Sequence, residues 1–332
     1  MVAVIAKASD LNVQLISNIG RHEHGMYCER PEFAGSELDG NKGLACLHIG
    51  DVGVSVSGDW GLSLSSELEK FRVSQCDTDM DVNVRWVQLI HPSRGTKIFH
   101  SGAVWTLSRE SDELIFDFST PAVGRSPYKQ LRTWDFSSAQ IHLNSALLPR
   151  HAWPLEYPAD ELLITNYLAY RALGVEVHGC GLVDPEHGGF LFLGHSGAGK
   201  STTTRLWKSA GIPEIPSPEI LSDDRIILRL NDSELWMYGT PWHGEAAFAS
   251  ASKSKLNRIF ILQHGESNKI APLSRAQAVG ELFARCFPPF HSASGLQNTV
   301  EFLERVVETV PCYEFQFVPD ASAVEAALSF HD

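Results

Sequence analysis

The sequence predicts an α/β protein in which a sheet with flanking helices follows a β-rich N-terminal region. Three observations carry this. Before residue 150, short alternating apolar runs dominate, broken by Gly, Asp, Ser and Pro clusters. After it, strand-length apolar runs alternate with stretches of helical periodicity. Among these, one strand-like run passes through a glycine-rich loop directly into a helix.

The N-terminal region covers 1–150 and the remainder 151–332. A chain of 332 residues is long enough for two domains. In the first region Val52–Val56, Val82–Leu89, Ala103–Leu107 and Leu114–Phe118 read as strands with tight turns. No catalytic motif occurs there. Trp105, Trp134 and Phe136 are expected in the core. The region is a candidate substrate-recognition or leader-binding domain, or part of one continuous sheet.

In the second region a helix opens at Tyr157-Pro158-Ala159-Asp160, repeats Leu162, Leu163, Tyr167 and Tyr170 on one side, and is expected to end at Gly174. Val175–Val183 and Phe190–Leu193, joined by Asp184-Pro185-Glu186-His187-Gly188-Gly189, read as a hairpin. A helix over 200–210 is expected to be capped by Gly211 and followed by a connector containing Pro213, Pro216 and Pro218. Further strands fall at Arg225–Leu230, Leu235–Tyr238 and Arg258–Gln263. Helices are expected over 274–287 and 295–310, the latter with Leu296, Val300, Leu303 and Val307 inward. A last strand spans 313–318, and Asp320 is expected to cap a final helix with Ala323, Val324 and Ala326 inward.

Composition narrows the function classes. Hydrophobic residues make up 43% and charged residues 20%, as in an ordinary globular core. The net charge of −13 repels phosphate backbones, so nucleic acid is not an expected partner. Cys28, Cys46, Cys76, Cys180, Cys286 and Cys312 form no CxxC pair, which argues for free thiols and against a short-spaced zinc site. No apolar stretch of membrane-spanning length and no secretory signal occur, so a cytoplasmic protein with no membrane partner is expected.

The strongest motif is Gly194-His195-Ser196-Gly197-Ala198-Gly199-Lys200-Ser201, with Thr202 continuing the helix. It fits the phosphate-loop template at every fixed position and has the required strand before it and helix after it. Glycines let the backbone curl with its N–H groups inward, forming a nest for anionic oxygens. The helix adds the positive end of its dipole. Lys200 supplies a charge for the β and γ phosphates, and Ser201 a hydroxyl for Mg2+. Gly194, Ser196, Gly197, Ala198, Gly199, Lys200, Ser201 and Thr202 are therefore the expected nucleotide-binding residues. His195, at a variable position, is expected to face solvent.

Phosphoryl transfer also needs acids. Asp223-Asp224 closes an apolar strand, and neighbouring residues of an extended chain point apart. One carboxylate can thus hold the metal while the other faces the acceptor; the order within the pair stays open. His178 lies on the hairpin strand beside the loop strand. Gly239-Thr240-Pro241-Trp242-His243-Gly244-Glu245 combines backbone-fixing residues with chemistry-bearing ones. Trp242, His243, Glu245 and Arg225 are candidate substrate contacts, and Glu245 a further candidate metal ligand.

Val175-Glu176-Val177-His178-Gly179, the phosphate loop and Leu221-Ser222-Asp223-Asp224-Arg225, in that order, resemble the C-terminal catalytic domain of HPr kinase/phosphorylase, over about residues 150–330. That family shares the fold of the ATP-dependent phosphoenolpyruvate carboxykinases. The GTPWHGE segment resembles HPr-kinase-like proteins, a group that includes kinases of precursor lasso peptides. The resemblance implies a phosphoenolpyruvate carboxykinase-like mixed sheet. It also implies catalytic roles for Lys200, Asp223, Asp224 and His178, with His178 beside the transferred phosphoryl group and an aspartate deprotonating a serine hydroxyl. The chain departs from the family pattern at Gly239–Glu245 and at the apolar Cys286-Phe287-Pro288-Pro289-Phe290, where a basic loop would stand.

The expected activity is ATP- and Mg2+-dependent phosphoryl transfer to an alcohol, with ATP as donor and a peptide, protein or small-molecule hydroxyl, such as a serine, as acceptor. A homo-oligomer is possible. A nucleotide-gated peptide-binding module with little or no turnover is the alternative. Carboxykinase-type chemistry is disfavoured because the site segments offer mainly Arg205 and Arg225.

Overall fold

The computed structural model describes residues 43–59, 61–102, 104–120, 126–149, 151–195, 197–209 and 217–330. The chain divides into two compact units, residues 1–48 with 52–163 and residues 49–51 with 164–332. The described residues hold two mixed sheets and six helices.

The first unit is built on one sheet of nine strands. These are β1 (Gly43–Ile49), β2 (Val52–Gly58), β3 (Arg72–Val73), β4 (Met80–Val87), β5 (Thr96–His100), β6 (Trp105–Glu110), β7 (Glu113–Phe118), β8 (Lys129–Thr133) and β9 (Ser138–Asn144), with a short helix α1 (Ser66–Glu69). Their order is β3-β1-β2-β4-β9-β8-β7-β6-β5, with β2–β4 and β4–β9 parallel. Side chains alternate across the sheet, so Val54, Val56, Val82, Val84, Ile141, Leu131 and Phe116 fill its buried face. Phe136 is buried and Trp105 packs between Phe99 and Phe116, but Trp134 is 56% exposed. Trp134 follows buried Thr133 at the end of β8, and the alternation turns it outward. Ala103 lies outside the described residues.

The division between units falls within helix α2 (Ala159–Tyr170). This helix stops before Gly174 because Ala172 takes the left-handed conformation, φ +53°, and the Leu173 amide donates back to the Leu168 carbonyl. Gly174 instead begins β10 (Gly174–Asp184), which turns into β11 (Gly188–Leu193) as an antiparallel hairpin. The remaining strands are β12 (Glu219–Ser222), β13 (Arg225–Asn231), β14 (Glu234–Tyr238), β15 (Lys253–His264), β16 (Lys269–Pro272) and β17 (Cys312–Phe317). The helices are α3 (Lys200–Ser209), α4 (Arg275–Phe283), α5 (Ala293–Thr309) and α6 (Ser322–Ser329).

Two long strands organise the second sheet. The first half of β10 pairs with β13 and its second half with β11 and β12. Likewise β15 pairs with β14 at its start and lies parallel to β11 and β17 further on. Because β11 and β12 both run antiparallel to β10, they point the same way, and their carboxyl ends emerge together. The core on one face joins Phe190, Phe192, Phe260, Phe315 and Phe317 to Trp207 of α3 and Ala323, Val324 and Ala327 of α6.

Two helices differ from their periodicity. In α5 the buried positions are Gly295, Thr299, Phe302, Leu303 and Val306, so of the expected stripe Leu303 is buried while Leu296, Val300 and Val307 are half-buried, one residue around from the buried face. Helix α4 ends at Phe283 rather than 287. Pro288 disfavours helix for the residue before it, and the chain leaves extended. The freed segment pairs with β10: the His178 amide donates to the Arg285 carbonyl at 2.6 Å and the Phe287 amide to the Glu176 carbonyl at 3.1 Å. Gly211, Pro213 and Pro216 lie outside the described residues.

Candidate functional site

The phosphate loop links the carboxyl end of β11 to α3. Gly197 and Gly199 have φ of +81° and +102°, conformations in which a Cβ is strained. At Gly199 a Cβ would also stand 2.4 Å from Phe317 Cζ. Lys200 is only 7% exposed, and its Nζ donates to the carbonyls of Gly194 at 2.9 Å and His195 at 3.2 Å. Among the described residues this ammonium has no ion-pair partner. Burial pulls its pKa down to about 8, with Arg225 and Arg285 adding to the effect and Asp224 opposing it. Ser201 and Thr202 lie half-buried on the first turn of α3, which carries no acidic residue. Ser196 lies outside the described residues.

Beside the loop, β10 sets His178 level with the break between β12 and β13, where the two aspartates sit. The hairpin register, Gly179 opposite Leu193, places this level next to the start of the loop. His178 Nε2 lies 2.9 Å from Asp224 Oδ1, and Arg225 Nη1 donates to Asp224 Oδ2 at 2.5 Å. Burial pushes Asp224 upward, but Arg225, His178 and Lys200 outweigh it and hold the carboxyl well below the usual carboxylate range. Burial lowers His178 to about 4 despite Asp224, so the imidazole is neutral at pH 7 and its Nε2–H donates. Arg225 is fixed in turn by Glu176, Nε to Oε1 3.1 Å, and lies over the Phe287 ring, Cζ 4.2 Å from its centroid.

The second aspartate has different company. Asp223 is 1% exposed, and its oxygens accept the amides of Gly244 (3.0 Å), Ala246 (2.9 Å) and Phe248 (3.2 Å). It is the carboxylate around which the segment after Gly239 folds. Asp223→Asn sets an amide NH2 against these donors, and charge-assisted hydrogen bonds contribute about 1.5–3 kcal/mol each. The variant is expected to lose about 2 kcal/mol or more of stability, read by denaturant titration; an unchanged midpoint would refute this anchoring.

That segment distributes its candidates unevenly. Trp242 is 6% exposed and is a core residue. His243 is half-buried, with Nδ1 donating to the Gly244 carbonyl at 2.8 Å. Glu245 is exposed, and among the described residues no group of three or more His, Cys, Asp or Glu side chains is placed to hold a metal ion.

One cation at the site belongs to no motif. Arg285 is 2% exposed, at the start of the segment that leaves α4. It pairs with Glu281 through Nη1, and Nη2 donates to His195 Nε2 at 3.0 Å. Among the described residues its buried Nε has no hydrogen-bond partner. Arginine can only donate, so His195 carries its proton on Nδ1. Burial and then Arg285 lower the His195 pKa, keeping this imidazole neutral. Thus His195, though exposed, holds a buried guanidinium at the loop.

Around the loop, Arg225 is paired with Glu176 and Asp224 and Arg285 with Glu281, so among the described residues Lys200 is the site cation left without a carboxylate partner. A buried ammonium bonded only to neutral carbonyls costs desolvation that no carboxylate partner offsets. The glycine conformations and the acid-free first helical turn are compatible with an anion at the start of the helix. The described cysteines, Cys46, Cys76, Cys180, Cys286 and Cys312, are free thiols, and no helix among the described residues is long and apolar enough to cross a membrane.

No family model and no curated protein matches the sequence. Among solved structures the chain is similar to the HPr(Ser) kinase/phosphatase from Coxiella burnetii, with 12% identity and a TM-score of 0.26 over 46% of this chain and 92% of that one. A likeness at that score decides nothing about the site.

Proposed function

We propose that the chain is an ATP- and Mg2+-dependent phosphotransferase acting on an alcohol, with a serine hydroxyl of a peptide, protein or free serine as acceptor. The observation that carries this reading is the buried, unpaired Lys200 set between a phosphate-type loop and the ionised Asp224. A polyphosphate supplies the missing anion, and the acid supplies what a pure binder does not need.

In this reading the loop amides and Lys200 take the β and γ phosphates, and buried Arg285 fixes His195 of the loop. The Ser201 hydroxyl would hold Mg2+, which when bound would neutralise charge on the phosphate oxygens, while Asp223, its oxygens engaged by backbone amides, is assigned no metal role here. Glu245, exposed, is assigned no metal role here. Asp224 takes the acceptor's hydroxyl proton as the oxygen–phosphorus bond forms, and the γ-phosphorus–oxygen bond breaks with its electron pair leaving on ADP. Neutral His178 donates to Asp224 and fixes its orientation, while Asp223 holds the neighbouring loop in place. The test is transfer of labelled γ-phosphate from ATP to serine-containing peptides and to serine. Nucleotide binding without any phosphorylated product would favour the binding-module alternative.

Lys200 also sets a pH dependence. With its pKa at about 8 in the ligand-free protein, it is charged below that value and neutral above it. Phosphate binding favours the charged form, so affinity is full below about 8 and falls as pH rises through it, by up to about tenfold per unit. Calorimetry in buffers of different ionisation enthalpy should show net proton uptake on MgADP binding at pH 8.5. Affinity that is flat from pH 7 to 9.5 would contradict this.

A further inference from the structure

Among the described residues of the phosphate loop, the carbonyls of Gly194, His195, Gly197 and Gly199 are occupied. Those of Gly194 and His195 accept from Lys200 Nζ, that of His195 also from the Ala198 amide, and that of Gly199 from the Thr203 amide. The Gly197 carbonyl is taken by a residue from another strand: His264 Nε2 lies 2.8 Å from it. A carbonyl only accepts, so His264 donates through Nε2–H.

His264 ends β15 and Phe317 ends β17, the strands parallel to β11 and to each other. Their carboxyl ends therefore emerge on the side of the sheet where the loop lies. The two rings stack, centroids 6.0 Å apart at 25°, and Phe317 supports the underside of Gly199, at the distance already given for an added Cβ. His264 and Phe317 thus grip the loop at Gly197 and Gly199, its two positive-φ glycines. The Gly197–Ala198 peptide is held at both ends, its N–H by the His195 carbonyl and its C=O by His264, and Gly197 would tolerate its rotation were these bonds lost. Rotated, it would turn a carbonyl lone pair toward the anion.

We infer that His264 is a positioning residue for the nucleotide phosphates, holding this peptide so that the Gly197 carbonyl stays turned away from the anion; the inference rests on the nucleotide reading above. The ring is exposed, so its replacement leaves the core intact. His264→Phe keeps the stacking surface and removes the donor; His264→Gln keeps an N–H donor of similar reach.

The test measures hydrogen exchange of residues 197–201 without nucleotide and MgADP affinity by calorimetry, in both variants and the parent. His264→Phe should exchange severalfold faster in the loop and bind about fivefold more weakly, the worth of one hydrogen bond. Its melting temperature should change little, and His264→Gln should restore both readouts. Parent-like exchange and affinity in His264→Phe would overturn the inference. A parent protein that binds no MgADP would defeat the nucleotide reading, while the exchange comparison would still decide whether His264 holds the loop.

Discussion

Asp224→Asn is expected to reduce phosphoryl transfer about a thousandfold, within the range general-base catalysis contributes, while leaving MgADP affinity within a few-fold of the parent. The side chain keeps its size, and its remaining oxygen can still accept from Arg225 or His178. What it loses is the ability to take a proton. In the parent the carboxylate is ionised throughout the physiological range because Arg225, His178 and Lys200 overcome the effect of burial. Its basicity is therefore low in the resting protein and must rise when phosphate oxygens screen those cations. Asp223→Asn separates the two acids: its defect is in stability, because its oxygens hold backbone amides. Single-turnover transfer rates for both variants, set against their denaturation midpoints, read the difference. Turnover by Asp224→Asn within tenfold of the parent would remove it as the base.

Lys200→Met is expected to act in opposite directions on function and stability. Transfer should fall by about a thousandfold or more, since the charge facing the β and γ phosphates is lost from a low-dielectric site. The ligand-free protein, in contrast, should gain stability, by about 1–3 kcal/mol from relief of an uncompensated buried charge. Lys200 has a folded-state pKa of about 8 against an ordinary 10.5, so folding disfavours its charged form. The penalty is fully present below about pH 8 and disappears as pH rises toward 10.5, because the unfolded chain then releases the proton as well. The stability gap between variant and parent should accordingly be widest at pH 7 and close at high pH. Thermal melts with and without MgATP measure both effects: the variant should melt higher alone and show no nucleotide-induced rise. A variant that melts lower than the parent at pH 7 would refute the strained-lysine account.

The hairpin, the glycine loop and the helix after it were legible in the sequence because each is a local pattern. Strand periodicity, a turn and a fixed run of glycines act over neighbouring residues. The run from β12 through the aspartates to β13 was legible for the same reason. The end of α4 was not, because its helical pattern continues into Cys286-Phe287 until the proline effect and pairing with β10 decide otherwise. That misreading hid Arg285, which carries no motif of its own.

By itself, then, the sequence determined the α/β alternation, the phosphate-type loop and the presence of adjacent acids. Only the tertiary structure decided which partners each acid meets. It turned Asp223 to the amides of residues 244–248 and Asp224 to His178, although the two are adjacent in the chain. It buried Trp242, left Glu245 exposed, and brought His264 and Arg285 to the loop from far along the chain. The physical reason is that backbone conformation follows from neighbouring residues, whereas desolvation and charge partners depend on which strands pair side by side.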